Sequence, residues 1–506
     1  MCLFSYFMLP STRSISLVKL WLVCFAFILS QPHSLGQKFE KDSLNRQKES
    51  CHSPLDNDSM IKSISHAMQE FHLTGLSVAV FDNYEIVWRH VWGHKVANTD
   101  SKIDFETAFS TASIAKPVTA TLLAMLEEEG LINLDAPVSK YLKRWNLPKN
   151  DFGAEKILTL KHLLSNTGGT SQHGFTDYYL GDTIPTLVES LEGEIANNSA
   201  LELTFYPGTH WRYSGGGYVI AQVAIEDHLG FPLAHLAQEY IFGPLGMKRT
   251  TMKQPNEDGF LSNVAKAHDQ NANIINTGIP ITPQVAPSGL WSNPTDMSIF
   301  LIELQNALRN KNNRVISHSV AKKVTDIVTS KVMGGWSMGW ERRYGFCNQE
   351  WFSHGGANTG TGGHVYATME GGKGIVLFGN GPNQNRIPVL DLLRDSIFKS
   401  LDWYRDLNVV TEPIPKDLKD KLLGSYQHIV FGENMTVFER GGKIFMQPSI
   451  GVDESELLYL GDNFLEVDQY PSKLRIDVES DPNFITIYQI RNITNEENPL
   501  YRKDKI

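Results

Sequence analysis

The 506 residues are long enough for more than one domain, and an apolar share of 41% with a charged share of 20% is ordinary for a soluble globular chain. Lys and Arg number 46 against 56 Asp and Glu, a net charge of -10 with no basic stripe, which excludes nucleic acid as an expected partner. No low-complexity tract or internal repeat stands out.

Arg13 and Lys19 precede the apolar run Leu20 to Ser30, too short to span a bilayer comfortably and suited to a signal-peptide core. Small residues Ser34 and Gly36 put the expected cleavage before Gln37, so residues 1–36 read as a signal peptide, with Met8 an alternative start. The expected location is therefore exported, periplasmic or secreted, with no stable membrane span once the leader is gone; an uncleaved anchor is the rival reading. Loss of the leader leaves Cys51 and Cys347, which an oxidising compartment would allow to pair. Neither has a metal-ligand neighbour at useful spacing, and the histidines show no H-E-x-x-H pairing, so no metal or cofactor is expected. The triplets at Asn57, Asn197, Asn434 and Asn492 matter only in a glycosylating host.

In the body of the chain, Ile61, Ile64, Met68 and Phe71 share one helical face, which predicts a helix over Met60 to Phe71. Leu76 to Gly93 predicts two strands joined at Asp82-Asn83, a pair that tolerates positive φ. Next comes Phe109 to Gly130, small and polar at first (Ser110, Thr111, Ser113), then apolar at helical spacing (Ile114, Val118, Leu122, Met125, Leu126). Ser113 and Lys116 are three apart, hence on one face of a first helical turn. A serine hydroxyl is a weak nucleophile until a base takes its proton, and a desolvated lysine can be that base. Free N–H groups at the helix start suit an oxyanion formed there. Ser-x-x-Lys also begins at Ser16, Ser59, Ser319 and Ser396, so spacing alone does not single out Ser113; its place ahead of the apolar stripe does. Pro117 fits only if the helix begins close to Ser113.

Leu131 to Gly169 breaks into short segments, and a helix is expected near Leu187 to Glu194. Pro207-Gly208 marks a turn and Tyr218 to Leu229 predicts a helix capped by Gly230. Tyr213 thus falls on a glycine-rich loop, either presented into a cleft or packed beneath it. Pro294-Thr295-Asp296 opens another helix. Glu350 to Gly381 predicts a strand through His354, a glycine-rich stretch, a strand at His364 to Met369, a Gly371-Gly372 turn and a strand at Ile375 to Gly379. A helix over Pro388 to Tyr404 closes this part. Beyond Asn408 a Pro-spaced stretch leads to Leu422 to Ile506, whose alternating apolar runs predict a small all-β barrel or sandwich. The expected division is residues 37–408 as the main domain, 409–421 as linker and 422–506 as an accessory domain.

Ser113-Ile114-Ala115-Lys116, Tyr213-Ser214-Gly215 and His354-Gly355-Gly356 occur in the order of the three active-site motifs of serine β-lactamases and penicillin-binding proteins. Residues Ile61 to Leu401 resemble the branch holding class C β-lactamases, D-alanyl-D-alanine carboxypeptidases, D-aminopeptidases and related esterases. The connecting segments LTLKHLLSNTGG, FYPGTHWRYSGGGY and PSGLWSNPTDMS share the likeness. The resemblance implies an α+β fold: an antiparallel sheet flanked by helices, plus a helical subdomain. It implies Ser113 as the nucleophile of an acyl-enzyme, Lys116 and Tyr213 sharing the proton transfers, and the N–H groups of Ser113 and Ala357 as the oxyanion hole. Gly215, Gly355 and Gly356 would stand at the substrate.

Two departures from the family pattern bear on substrate. The second motif usually ends in Asn where this chain has Gly215, and the third usually starts with Lys in β-lactamases where this chain has His354, charged only at lower pH. Both favour a peptidase or esterase acting on a small amide or ester, a D-amino-acid peptide or ester above all. A class C β-lactamase and a sensor that acylates without turnover are the alternatives. A rival nucleophile elbow, Gly335-Trp336-Ser337-Met338-Gly339, lacks a following helix. Oligomeric state is left open.

Overall fold

The structure, a computed structural model, describes residues 54–150, 153–193, 199–331, 334–343, 349–403, 411–429, 432, 434–448, 454–467, 470–490 and 497–505. The N-terminal apolar run read as a signal peptide, Cys51 and Cys347 lie outside the described residues.

An eight-stranded sheet organises the first four hundred or so residues. Its strands are β1 (Gly75–Asp82), β2 (Glu85–Gly93), β5 (Thr329–Lys331), β6 (Gly334–Trp336), β7 (Glu341–Arg343), β8 (Trp351–Asn358), β9 (Thr361–Thr368) and β10 (Gly374–Gly379). They lie in the order β2-β1-β10-β9-β8-β7-β6-β5, every pair antiparallel. The first hairpin turns one residue later than expected. Asp82 still pairs with Glu85, so Asn83 and Tyr84 form the turn, at φ 50° and 67°. Two positive values match the twist of a two-residue hairpin loop. Gly371 and Gly372, at φ 80° and 67°, lie in the longer turn that joins β9 to β10, closed by the Thr368 N–H donating to the Lys373 carbonyl at 2.9 Å.

Strand β1, next to the edge strand β2, is buried along nearly its whole length because helices cover both faces of the sheet. On one face lie α1 (Asp58–Glu70) and the long closing helix, α5 (Asn383–Ser400). Helix α1 starts where the Asn57 side chain accepts from the Ser59 N–H at 2.9 Å. It buries Met60, Ile64 and Met68 against Leu76, Val78 and Leu377, each side chain contributing about 1.5–3 kcal/mol. The opposite face carries α4 (Pro294–Leu308), while α2 (Ala115–Glu128) and α3 (Gly215–Leu229) pack among helices beyond it; apolar residues of all three join Phe352, Val365, Ala367, Val376 and Phe378 in the larger core. A two-stranded ribbon of β3 (Phe109–Ala112) and β4 (Leu290–Ser292) lies between sheet and helices.

The C-terminal region is a closed barrel rather than a sandwich. Its strands are β11 (Gly424–His428), β12 (Asn434–Arg440), β13 (Lys443–Pro448), β14 (Ser455–Gly461), β15 (Phe464–Val467), β16 (Tyr470–Asp477), β17 (Phe484–Ile490) and β18 (Glu497–Asp504). Pairing of Gln427 with Arg502 and His428 with Tyr501 joins first strand to last. Alternation along the strands turns Met435, Val437, Leu465, Ile476 and Ile487 inward, and an eight-stranded interior is narrow enough for side chains to fill. Leu418 and Leu422, from the short helix Lys416–Leu422 just before β11, complete that core. No helix among the described residues is long and apolar enough to cross a membrane.

Candidate active site

Ser113 sits in a two-residue turn between β3 and α2, not inside the helix. Ser110 and Thr111, expected as caps, belong to β3 instead, and Thr111 Oγ1 donates to the Leu290 carbonyl at 2.9 Å. The sharp entry is set by Ala112, whose φ of 50° is unusual for a residue with a side chain and stores strain of about 1–2 kcal/mol. Pro117 is the third residue of α2, so its missing N–H is one of the four a helix start leaves unpaired.

Lys116 is 1% exposed, and its Nζ donates to Ser113 Oγ at 3.1 Å and to the Pro287 carbonyl at 3.0 Å. No carboxylate among the described residues forms an ion pair with it. Burial brings its pKa down from 10.5 to about 7, without help from a neighbouring cation. A neutral amine with a lone pair one hydrogen bond from a serine hydroxyl is able to take that proton.

Tyr213 comes from 97 residues further on, at the entry to α3. Asn166, itself left-handed at φ 60°, clamps it from both sides: the Asn166 carbonyl accepts from the Arg212 N–H at 2.8 Å and its Oδ1 from the Ser214 N–H at 3.1 Å. Ser214 caps α3 by accepting from the Gly217 N–H at 3.1 Å. The Lys116 Nζ lies 4.8 Å from the centre of the Tyr213 ring. Burial pushes the phenol far above its usual pKa while a hydrogen bond with Ser113 pulls the other way, so it stays protonated at neutral pH. Of the two partners of Ser113, the lysine is able to accept a proton near neutral pH, whereas the tyrosine keeps its own.

Gly215 begins α3 rather than belonging to a loop, because three glycines extend the helix a turn back from the expected start at Tyr218. It is buried, and a Cβ there would stand 3.0 Å from both the His173 carbonyl and the Phe175 ring. An asparagine in its place would displace that packing. Gly215 therefore offers a substrate no side chain and little surface.

Strand β8 brings the third motif. Beyond Ser353 it is no longer paired with β7, and alternation sends its residues to opposite faces. Gly356 lies under the β3–α2 turn so closely that a Cβ would fall 1.9 Å from the Thr111 carbonyl oxygen and 3.2 Å from the Ser113 nitrogen. Gly355 turns the other way, toward the His364 ring. Ala357, exposed, follows directly. His354 is 3% exposed, with Nδ1 2.6 Å from the Gly355 carbonyl and Nε2 without a hydrogen-bond partner among the described residues. Burial first, and Lys116 second, lower its pKa to about 3. The change of charge expected for it around neutral pH is thus absent: a desolvated imidazole close to a lysine stays neutral.

Aromatic side chains that sequence reasoning did not single out enclose the site. Trp336, at the end of β6, has its ring 5.8 Å from Tyr213, 5.7 Å from His354 and 5.1 Å from Trp211. Trp336 lies within the Gly335–Gly339 stretch considered as a nucleophile elbow. Ser337 of that stretch is fully buried in the turn between β6 and β7, its N–H donating to the Trp340 carbonyl at 2.9 Å. A strand follows it where an elbow requires a helix, so the α/β-hydrolase reading fails. Gly339, at φ 84°, packs against Pro117 and so braces α2.

The β-lactamase family model matches residues 60–396. Esterase EstB of Burkholderia gladioli is 30% identical over 189 residues, 36% of this chain and 48% of the esterase. Penicillin-binding protein 4* of Bacillus subtilis is 27% identical over 190 residues, 38% of this chain and 40% of that protein. A D-aminopeptidase of Brucella anthropi is 30% identical over 190 residues, 36% and 33% of the two chains. The chain thus matches less than half the length of each of these relatives. Among solved structures, the octameric penicillin-binding protein homologue from Pyrococcus abyssi superposes with a TM-score of 0.56 at 18% identity, over 88% of this chain and 99% of that one. SurE with D-Leu gives 0.54 at 18% identity, over 89% and 99%. At that identity the two structures speak for the fold alone.

Proposed function

The chain belongs to the β-lactamase family, and from that premise we propose that it is a serine hydrolase that cleaves a small amide or ester through an acyl-enzyme on Ser113. The carrying observation is the 3.1 Å contact between Ser113 Oγ and a buried Lys116 whose pKa is near 7. Neutral Lys116 takes the hydroxyl proton as Oγ attacks the substrate carbonyl carbon. The N–H groups of Ser113 and Ala357 receive the oxyanion, each such donor lowering the barrier by about 3–4 kcal/mol. Tyr213 passes a proton to the leaving amine or alkoxide, the carbon–leaving-group bond breaks, and water then attacks the acyl-enzyme by the same route reversed.

A neutral His354 provides no fixed cation to grip a substrate carboxylate, and Trp336, Trp211 and Tyr213 offer aromatic surface instead. This favours uncharged groups beside the scissile bond: esters and D-amino-acid amides or peptides ahead of β-lactams. The likeness to an esterase and a D-aminopeptidase points the same way. The missing amide at Gly215 keeps a second reading, a penicillin-binding or sensing protein that acylates without turning over. Export through the N-terminal leader is part of the proposal.

Intact mass after a fluorophosphonate probe, p-nitrophenyl esters, D-alanine p-nitroanilide and penicillin tests both readings. A single adduct mapped to Ser113, absent in Ser113→Ala, with steady product release from ester or anilide is the expected result. An adduct on Ser113 without release selects the sensor; labelling that survives Ser113→Ala overturns the assignment.

A further inference from the structure

Behind β8, on the sheet face away from Ser113, lies a cavity of about 420 Å³ that the proposed reaction does not use. Its walls are β8 and β9 on one side and the N-terminal half of α5 on the other. Gly355 leaves the sheet bare there, a Cβ on it standing 3.1 Å from the His364 ring.

The lining is unusually cationic for an interior. Arg386 is 2% exposed, and no carboxylate among the described residues pairs with it. Among the described residues its guanidinium donates to neutral oxygens alone: the Gly381 carbonyl, the Gly356 carbonyl at 3.2 Å and Asn383 Oδ1 at 2.7 Å. Arginine does not deprotonate to escape such a position, so the charge stays, and an uncompensated buried charge is costly. Arg343 and Arg394 line the same space; Arg343 is held by Glu341 at 3.2 Å and Arg394 by Asp391 at 2.7 Å and Asp395 at 2.8 Å. Of those carboxylates only Asp391 reaches the lining, which leaves three guanidiniums facing one acid. His364, stacked on Tyr366 at 4.2 Å, has a buried Nε2 with no partner among the described residues. The free N–H groups at the start of α5 add partial positive charge. Ile387 and Leu390 give the cavity one apolar wall.

We propose that this cavity binds a small organic oxyanion, a phosphate or carboxylate head on an apolar body, with Arg386, Arg343 and Arg394 as its cationic contacts and His364 Nε2 as a neutral donor. The head supplies the counter-charge that Arg386 lacks, and the body lies on Ile387 and Leu390. The volume falls within the range of small-molecule sites and exceeds what a bare inorganic anion fills. Arg386 also fixes the Gly356 carbonyl, the peptide whose N–H belongs to Ala357, so the site adjoins the oxyanion strand from behind.

The test is calorimetric titration of the full chain with inorganic phosphate, phenyl phosphate and benzoate, against sodium chloride at matched ionic strength. Saturable heat is expected for the two aromatic anions, phenyl phosphate binding about tenfold or more tightly than phosphate. Arg386→Met should weaken phenyl phosphate at least about tenfold, and Arg343→Gln, a partly exposed change that spares the core, should weaken it about threefold to tenfold. Heat that does not saturate, that chloride reproduces, or that survives Arg343→Gln and a folded Arg386→Met unchanged overturns the proposal.

Discussion

Lys116 and Arg386 are both buried to 2% exposure or less, neither has a carboxylate partner among the described residues, and they lie on opposite faces of one sheet. Their fates differ. Burial brings the lysine to about 7, within reach of neutrality, but brings the arginine only to about 10, still charged at any physiological pH. The same desolvation thus frees a lone pair on one face and leaves a fixed charge on the other, and side-chain chemistry decides which. Proton transfer needs the first kind of cation; holding a carbonyl or an anion needs the second.

Exchanging the two kinds is the harshest trial of this contrast. Lys116→Arg keeps a donor near Ser113 but cannot accept a proton, so kcat/KM should fall by about 10³-fold or more; retention of a tenth of the activity in a kinetic assay would refute the base role. Lys116→Met should show the opposite sign in stability. The unfolded lysine holds its proton up to 10.5, the folded one only to about 7, so the folding penalty is full below pH 7 and fades as pH rises to 10.5. That displacement corresponds to about 5 kcal/mol at most, readable as a rise in denaturation midpoint at pH 6 that vanishes near pH 10.5. Tyr213→Phe leaves the packing and removes the relay, with an expected loss of about 10²-fold in kcat. In the pH–rate profile the activity should climb about tenfold per unit below pH 7 and level off above it, as Lys116 becomes neutral. His354→Gln should leave the midpoint of that limb unmoved; a midpoint that shifts with this substitution would return His354 to the titrating groups. Smallest of all, Ser337→Ala should change fluorophosphonate labelling by less than about twofold, since its hydroxyl lies sealed in a turn.

Legibility followed the reach of each interaction. The pairing of Ser113 with Lys116 could be read from a spacing of three at the head of an apolar stripe, although Ser113 itself lies in the turn before α2. The approach of Tyr213 and His354 could not be read from periodicity, only from motif order, since Asn166 and the glycine contact at Gly356 join segments far apart in the chain. The neutrality of His354 escaped because burial, not residue type, sets its pKa. Trp336 was hidden inside a glycine-flanked pattern that pointed to another chemistry, and its placement comes from β6 ending beside Tyr213. Arg386 lies ahead of the helix expected from Pro388; that helix begins at Asn383, and it is this extra turn that turns Arg386 inward. The barrel was readable as alternating strands, whereas its closure rests on two pairings between its first and last members.

Those two pairings carry a practical consequence. The final eight or so residues are a stave of the barrel wall, so proteolytic trimming of the tail would strip β18 and bare the hydrogen-bonding rims of β11 and β17 together. Exposed rims of that kind recruit strands from other molecules. A preparation clipped at its C-terminus should therefore clump while its serine chemistry, housed elsewhere, stays intact.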